Sequence, residues 1–99
     1  MIVDVGNILS LRKILNSAVV NLLVHIYLHG SVRHKDLVKL ISSRGSLSLA
    51  LNSLLDEGLV AREVNTQHFP PQTYYSVTGR GKEVAIRLEE IREIMKISP

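Results

Sequence analysis

The sequence predicts an α+β domain, mostly α, and three observations carry that prediction. Apolar residues recur at helical spacing in four stretches between Ile8 and Met95. The rhythm changes to a period of two over Leu59–Val64, and β-type residues return over Gln72–Thr78, which makes one hairpin. Gly30, Gly45 and Gly58 punctuate the runs where one element gives way to the next. At 99 residues the chain is expected to form one domain, 1–99, with a single core and little surface to spare.

Taken in order, Ile8, Leu11, Leu15, Val19, Leu22 and Ile26 form one stripe, and Val20, Leu23, Val24 and Leu28 form a second. Residues 8–29 are therefore an N-terminal helix buried on more than one side, or two helices if Ser10 or Ser17 caps a new start. Gly30 stands where a C-cap belongs. Residues 34–57 read as helix, turn, helix. Leu37, Val38, Leu40 and Ile41 give the first its buried face, Ser42 to Gly45 read as the turn, and Leu47, Ala50, Leu51 and Leu54 give the second its apolar face. Residues 59–77 form the hairpin, with a six-residue connection, "TQHFPP", stiffened by Pro70-Pro71. Thr78 is the expected N-cap of a last helix over 79–97. Its stripe is Val84, Leu88, Ile91 and Met95, and Arg87, Glu90 and Glu93 lie on the opposite, solvated face. The order helix, helix, helix, hairpin, helix is the layout of a winged helix-turn-helix, with an extra N-terminal helical segment and a C-terminal helix available for dimerisation. In that layout the third helix enters the major groove and the hairpin flanks it.

Charge agrees with an anionic partner. The formal net charge is +3, and the excess lies between Arg33 and Lys82, while the acids gather in the tail. The chain has no cysteine, which removes disulfides, thiolate-bound zinc and thiol catalysis together. No signal-peptide pattern opens the sequence, and the most apolar run, "SAVVNLLVHIYLHG", is broken by Asn21, His25 and His29 and too short for a bilayer. A soluble, cytoplasmic protein without membrane contact is expected. His25 and His29, one turn apart, have the spacing of a ligand pair, but no third ligand joins them, so no metal and no cofactor is expected. Neither a glycine-rich phosphate loop nor a nucleophile constellation is present, so the chain is not expected to be an enzyme.

The runs "SLSLALNSLLDEGLVAREV" and "PPQTYYSVTGRGKEV" resemble the HxlR-type branch of winged-helix transcriptional regulators, close to the MarR and PadR types. A helix ending "LLDEGLV" leads into the first wing strand, a Pro-containing wing leads to "YYSVT", and Thr-x-x-Gly (Thr78 to Gly81) starts the terminal helix. The likeness spans Ser17 to Leu88. It implies a homodimer on double-stranded DNA, joined through its terminal helices, with Ser46, Ser48, Leu49 and Asn52 facing the groove and residues 66 to 72 forming the wing. Proteins of this type commonly carry a cysteine near the N-terminus and cations in the groove helix. This chain has no cysteine, so thiol-based sensing has no residue to act through, and "SLSLALNSLLDE" contains no Lys or Arg.

Each candidate has a plain structural reading beside the functional one. Asn52 has the chemistry to pair with an adenine edge and Leu49 to meet a thymine methyl, or these residues are only the outer side of an amphipathic helix. Arg33, His34, Lys35, Arg44, Arg62, Arg80 and Lys82 are phosphate candidates, joined by Gln67, His68 and Gln72 of the wing, or they are scattered solvated groups. Phe69 at the wing tip is expected to fold back onto its own domain rather than to wedge into DNA. Ile8, Leu11, Leu15, Val84, Leu88, Ile91 and Met95 are expected to form an isologous dimer interface, since the first and last helices offer more apolar surface than one small domain needs. Any small-molecule effector, of unknown identity, would have to sit at that interface. The expected function is a repressor that occupies an operator. The rivals are a winged-helix protein–protein module, using exposed Leu49 and Leu55, and an architectural DNA binder with little sequence preference.

Overall fold

A computed structural model describes residues 10–97 of the chain. Eight elements follow in order: α1 Leu11–Leu15, α2 Ala18–His29, β1 Val32–Arg33, α3 His34–Leu40, α4 Arg44–Asp56, β2 Val60–Asn65, β3 Gln72–Val77 and α5 Gly79–Met95. Ile8 lies outside the described residues, and with it that part of the expected interface.

Hydroxyl side chains set the helix starts. Ser10, Ser17, Ser43 and Thr78 each accept from the backbone N–H three residues on, satisfying donors that a helix N-terminus leaves free. Both Ser10 and Ser17 cap, so the N-terminal segment is two helices, broken at Asn16. Ser43 caps two residues earlier than the sequence suggested, so Arg44 and Gly45 belong to the first turn of α4 rather than to the turn before it. α4 therefore does carry a cation, at its first residue.

The sheet has three antiparallel strands in the order β1-β3-β2, not the two of a bare hairpin. Val32 pairs with Tyr75 and Arg33 with Tyr74, while β2 and β3 run in register from Val60–Val77 to Asn65–Gln72. A two-residue strand has too few positions to show alternation, which is why periodicity missed β1. The loop between β2 and β3 is the expected six residues.

The core gathers Leu22, Leu23 and Ile26 of α2, Leu37 of α3, and Leu47, Ala50, Leu51 and Leu54 of α4 against Val60, Tyr75 and Ala85. Each large aliphatic side chain buried there contributes roughly 1.5–3 kcal/mol. Leu55 is half-buried against this core and not exposed as expected. α5 crosses α2 with Gly81, Val84, Ala85, Leu88 and Arg92 inward. Gly81 permits the tightest approach: a β-carbon there would stand 1.8 Å from the Leu59 carbonyl oxygen. The wing base is thus fastened to α5 by backbone contact, reinforced by Thr78 Oγ1 donating to the Gly58 carbonyl at 2.7 Å.

The inward stripe of α5 differs from the expected one in its last members. Arg92 is only 3% exposed, and Ile91 turns outward. The guanidinium is retained inside by its partners: Nε donates to the Leu15 carbonyl at 2.9 Å, Nη2 donates to Asn21 Oδ1, and Glu89 stands 3.6 Å from Nη1.

Candidate nucleic-acid interface

α4 buries Leu47, Ala50, Leu51 and Leu54, so helical periodicity turns Gly45, Ser48, Leu49 and Asn52 outward. Leu49 is 74% exposed, a large apolar side chain left uncovered by the described residues. Ser46 is also exposed, on the flank next to the α3–α4 connection, where its N–H meets Ser43 Oγ at 3.3 Å. Apart from Leu49 the face is small and polar, and it carries no charge between Arg44 and Asp56.

Charge collects beside the other end. A cleft of 330 Å³ is lined by His34, Val38, Arg44, Leu47 and Ser48, so the start of α3 and the start of α4 share one edge. His34 Nδ1 lies 3.4 Å from the Tyr75 hydroxyl, with the rings tilted and 5.9 Å apart. Tyr75 is buried on the central strand, so the sheet positions His34. Arg33 is half-buried opposite Tyr74, and Lys35 is exposed one residue beyond His34. Arg62 is exposed on β2 opposite Tyr75.

The wing contributes a second, polar region. Ser31, Glu63, Val64, Asn65, Thr66, Gln67 and Tyr74 line a shallow cleft of 460 Å³. Asn65 Oδ1 accepts from the Gln67 N–H at 3.0 Å and shapes the start of the loop. His68 is exposed, whereas the Gln72 amide is engaged by the Tyr74 hydroxyl at 2.7 Å. Phe69 is 100% exposed and does not fold back onto the domain.

Two cations fall elsewhere. Arg80 donates to the Glu57 carbonyl at 3.4 Å, capping the C-terminal end of α4. Lys82 is exposed in the first turn of α5, at the wing base. The length of α4, roughly 20 Å at 1.5 Å per residue, separates both from Arg44.

Of the residues expected at a dimer interface, Leu15 is buried in its own chain and Val84 and Leu88 are half-buried against the core. Leu11, Ile14, Ile91 and Ile94 remain exposed, Ile94 at 79%. The Arg12 Nη2 bond to the Met95 carbonyl, 3.0 Å, holds α1 against the end of α5 and brings these four to one end of the molecule. Ile14 and Ile94 escaped the sequence reading because they sit one position off the stripes it followed.

Of the histidine pair, His25 is partly buried and His29 exposed. The rings of His25 and His29 stack at 4.0 Å, and His29 Nδ1–H donates to the His25 carbonyl at 2.9 Å. Burial, and secondarily the charge of His29, lowers the pKa of His25 below the ordinary histidine value, against a smaller raising effect from Asp36. Among the described residues no group of three or more His, Cys, Asp or Glu could hold a metal ion, and no helix is long and apolar enough to cross a membrane.

A family model described as HxlR-like helix-turn-helix matches residues 14–97, almost everything from α1 to the end of α5. The chain belongs to the HxlR-like helix-turn-helix family. The fold of this HxlR-like chain is shared by solved regulators. The redox regulator HypR in its oxidized form is 25% identical, with 80% of this chain and 81% of that one covered and a TM-score of 0.67. The reduced form of the transcriptional regulator YodB from B. subtilis is 22% identical over 94% and 90% of the two chains, TM-score 0.65. A MarR-family protein from Porphyromonas gingivalis W83 is 19% identical over 100% and 98%, TM-score 0.66. No curated protein matches the chain. The family and these neighbours are transcriptional regulators and not enzymes. Unlike a thiol-based redox regulator, this HxlR-like chain has no cysteine.

Proposed function

We propose that this HxlR-like protein is a dimeric regulator of transcription that binds double-stranded DNA, with α4 in the major groove and the wing beside it, and represses by occupying an operator. The observation that carries the reading is the cleft shared by His34, at the start of α3, and Arg44, at the start of α4, beside the outward face of α4, with Arg33 and Lys35 flanking His34 in the chain. A cation in the first turn of a helix opposes the helix dipole at a cost of about 0.3–1 kcal/mol, which a phosphate in contact with Arg44 would offset. Affinity comes from that edge and from Arg62, Gln67 and His68, and modest base reading comes from Ser46, Ser48, Leu49 and Asn52. Arg80 instead supports the end of α4. Two copies join through Leu11, Ile14, Ile91 and Ile94, so that paired α4 helices address successive major grooves.

The test is a titration against random duplex DNA and a duplex from the upstream region of its own gene, at two salt concentrations. Salt-sensitive binding that favours the second duplex is expected. Arg44→Ala should weaken both and lower the salt slope by about one, whereas Asn52→Ala should narrow the preference and leave the slope alone. Absence of salt-sensitive binding to either duplex refutes the reading, and equal binding to both reduces it to an architectural role. Sedimentation of Ile94→Glu, expected to be monomeric, tests the dimer separately.

A further inference from the structure

Between α2, the α3–α4 connection and α5 lies a cleft of 730 Å³, within the range of small-molecule sites and larger than either cleft on the DNA-facing side. Its walls are Val24, Leu28, Leu40 and Ile41, with the stacked imidazoles of His25 and His29 along one side. At one end stands Arg92, buried as a charged group seldom is. Two of its donors are committed, to Leu15 and Asn21, while Nη1 faces only Glu89 at 3.6 Å, beyond hydrogen-bond distance. Among the described residues no carboxylate lines the cleft. The opposite rim is formed by Ser42, Ser43 and Ser46, of which Ser43 is the residue that caps α4.

We infer that this cleft binds a small amphiphilic organic acid, with its apolar body against the aliphatic walls and its acid group on Arg92, and that occupancy weakens DNA binding by displacing the start of α4. The second half rests on the DNA-binding function proposed above; the first half does not. A neutral apolar ligand would leave the Nη1 donors of Arg92 without a hydrogen-bond partner, and a cationic one would face that guanidinium and two imidazoles, with Glu89 already drawn to Arg92 and Asp36 the acid near His25. An anion instead gains charge-assisted hydrogen bonds in a largely desolvated place. Glu89 gives way readily, being partly solvent-exposed and held at a long distance. The site lies within one protomer, on the inner side of the helix-turn-helix, so it does not require the dimer interface. It touches both the cap of α4 and the helix that carries Ile91 and Ile94, so a ligand there bears on DNA-reading and dimer-forming elements together.

Octanoate, octanol and octylamine serve as probes in calorimetric titrations of the full chain without DNA. Octanoate should bind saturably, at least about tenfold tighter than the other two, a discrimination of roughly 1.4 kcal/mol. Leu28→Asp puts a like charge on the cleft rim at an exposed position, so it should fold normally and lose octanoate affinity at least about tenfold. Arg92→Gln should lose it as well, and Leu28→Asp decides the matter if Arg92→Gln fails to fold. Equal binding of the three probes, no saturable binding, or unchanged affinity in Leu28→Asp overturns the site. With saturating octanoate, DNA affinity should fall at least about fivefold in wild type and stay unchanged in Leu28→Asp. Octanoate that binds without moving DNA affinity overturns the regulatory half. A protein that takes octanoate but no duplex leaves the ligand site standing and refutes the proposed function.

Discussion

Replacing Gly81 by alanine isolates the contact that fastens the wing to the last helix. The added β-carbon would lie 1.8 Å from the Leu59 carbonyl oxygen, 2.8 Å from its carbon and 3.2 Å from the Leu59 Cα. Ordinary carbon–oxygen approach is about 3.3–3.6 Å, so α5 and the β2 entry must separate by roughly 1.5 Å. Both sides of the contact are backbone, and no side chain can rotate away. Overpacking of this kind costs about 1–3 kcal/mol. Separation also strains the Thr78 N–H bond to the Leu59 carbonyl, 3.0 Å, and the Thr78 cap of Gly81, worth about 0.5–2 kcal/mol. Together these predict a loss of about 1.5–5 kcal/mol, and for a domain this size each kcal/mol lowers the Tm by roughly 4–8 °C. Gly79→Ala is the matched control: nothing stands within 4 Å of its added carbon, so it should be neutral or stabilise by up to about 1 kcal/mol. Thermal melts followed by circular dichroism measure both. A Gly81→Ala protein melting within a few degrees of wild type would refute the reasoning.

Arg92→Met should destabilise by about 2–4 kcal/mol by leaving the Leu15 carbonyl and the Asn21 amide without their charged donor, and Arg92→Lys should not rescue it because an ammonium lacks the fork; urea denaturation gives both values. Ser43→Ala removes the α4 cap and should cost about 1 kcal/mol in the same assay. The lowered His25 pKa sets a pH dependence. The unfolded chain takes up a proton at that site before the folded one does, so stability is full above the ordinary imidazole value of about 6.5 and falls as pH drops below it. His25→Gln should flatten that fall in melts taken between neutral and mildly acidic pH, with His29, Asp36 and Arg92 still present nearby.

Where a feature is local, the sequence displayed it. The caps at Ser10, Ser17 and Thr78 and the stops at Gly30 and Gly58 are properties of single residues, and the six-residue wing loop lies between two clear runs of strand residues. What stayed hidden depends on distant partners. β1 exists only because Tyr74 and Tyr75 lie beside Val32 and Arg33. Arg92 looked like one more charge on a polar helix, although Gly81, Ala85, Leu88 and Arg92 follow one another at helical spacing; its acceptors are Leu15 and Asn21, over 70 residues away in sequence. The outward residues of α4 were legible by elimination, since four buried positions on the helix leave only one outward arc. The sharing of an edge by His34 and Arg44 was not, and neither was the exposure of Phe69.

The short pairing of β1 with the central strand bears on the thermodynamics of recognition. Arg33 and His34 leave the sheet directly into α3, and the same sheet carries the wing, so the two regions are ordered before any duplex arrives. Association then includes no folding of a loose hairpin. Its heat-capacity change should match the apolar area buried at the contact alone, without the larger negative value that accompanies coupled folding. DNA that must bend to meet both regions would supply the deformation, leaving the stiffness of the intervening base steps as a source of discrimination that no side chain touches.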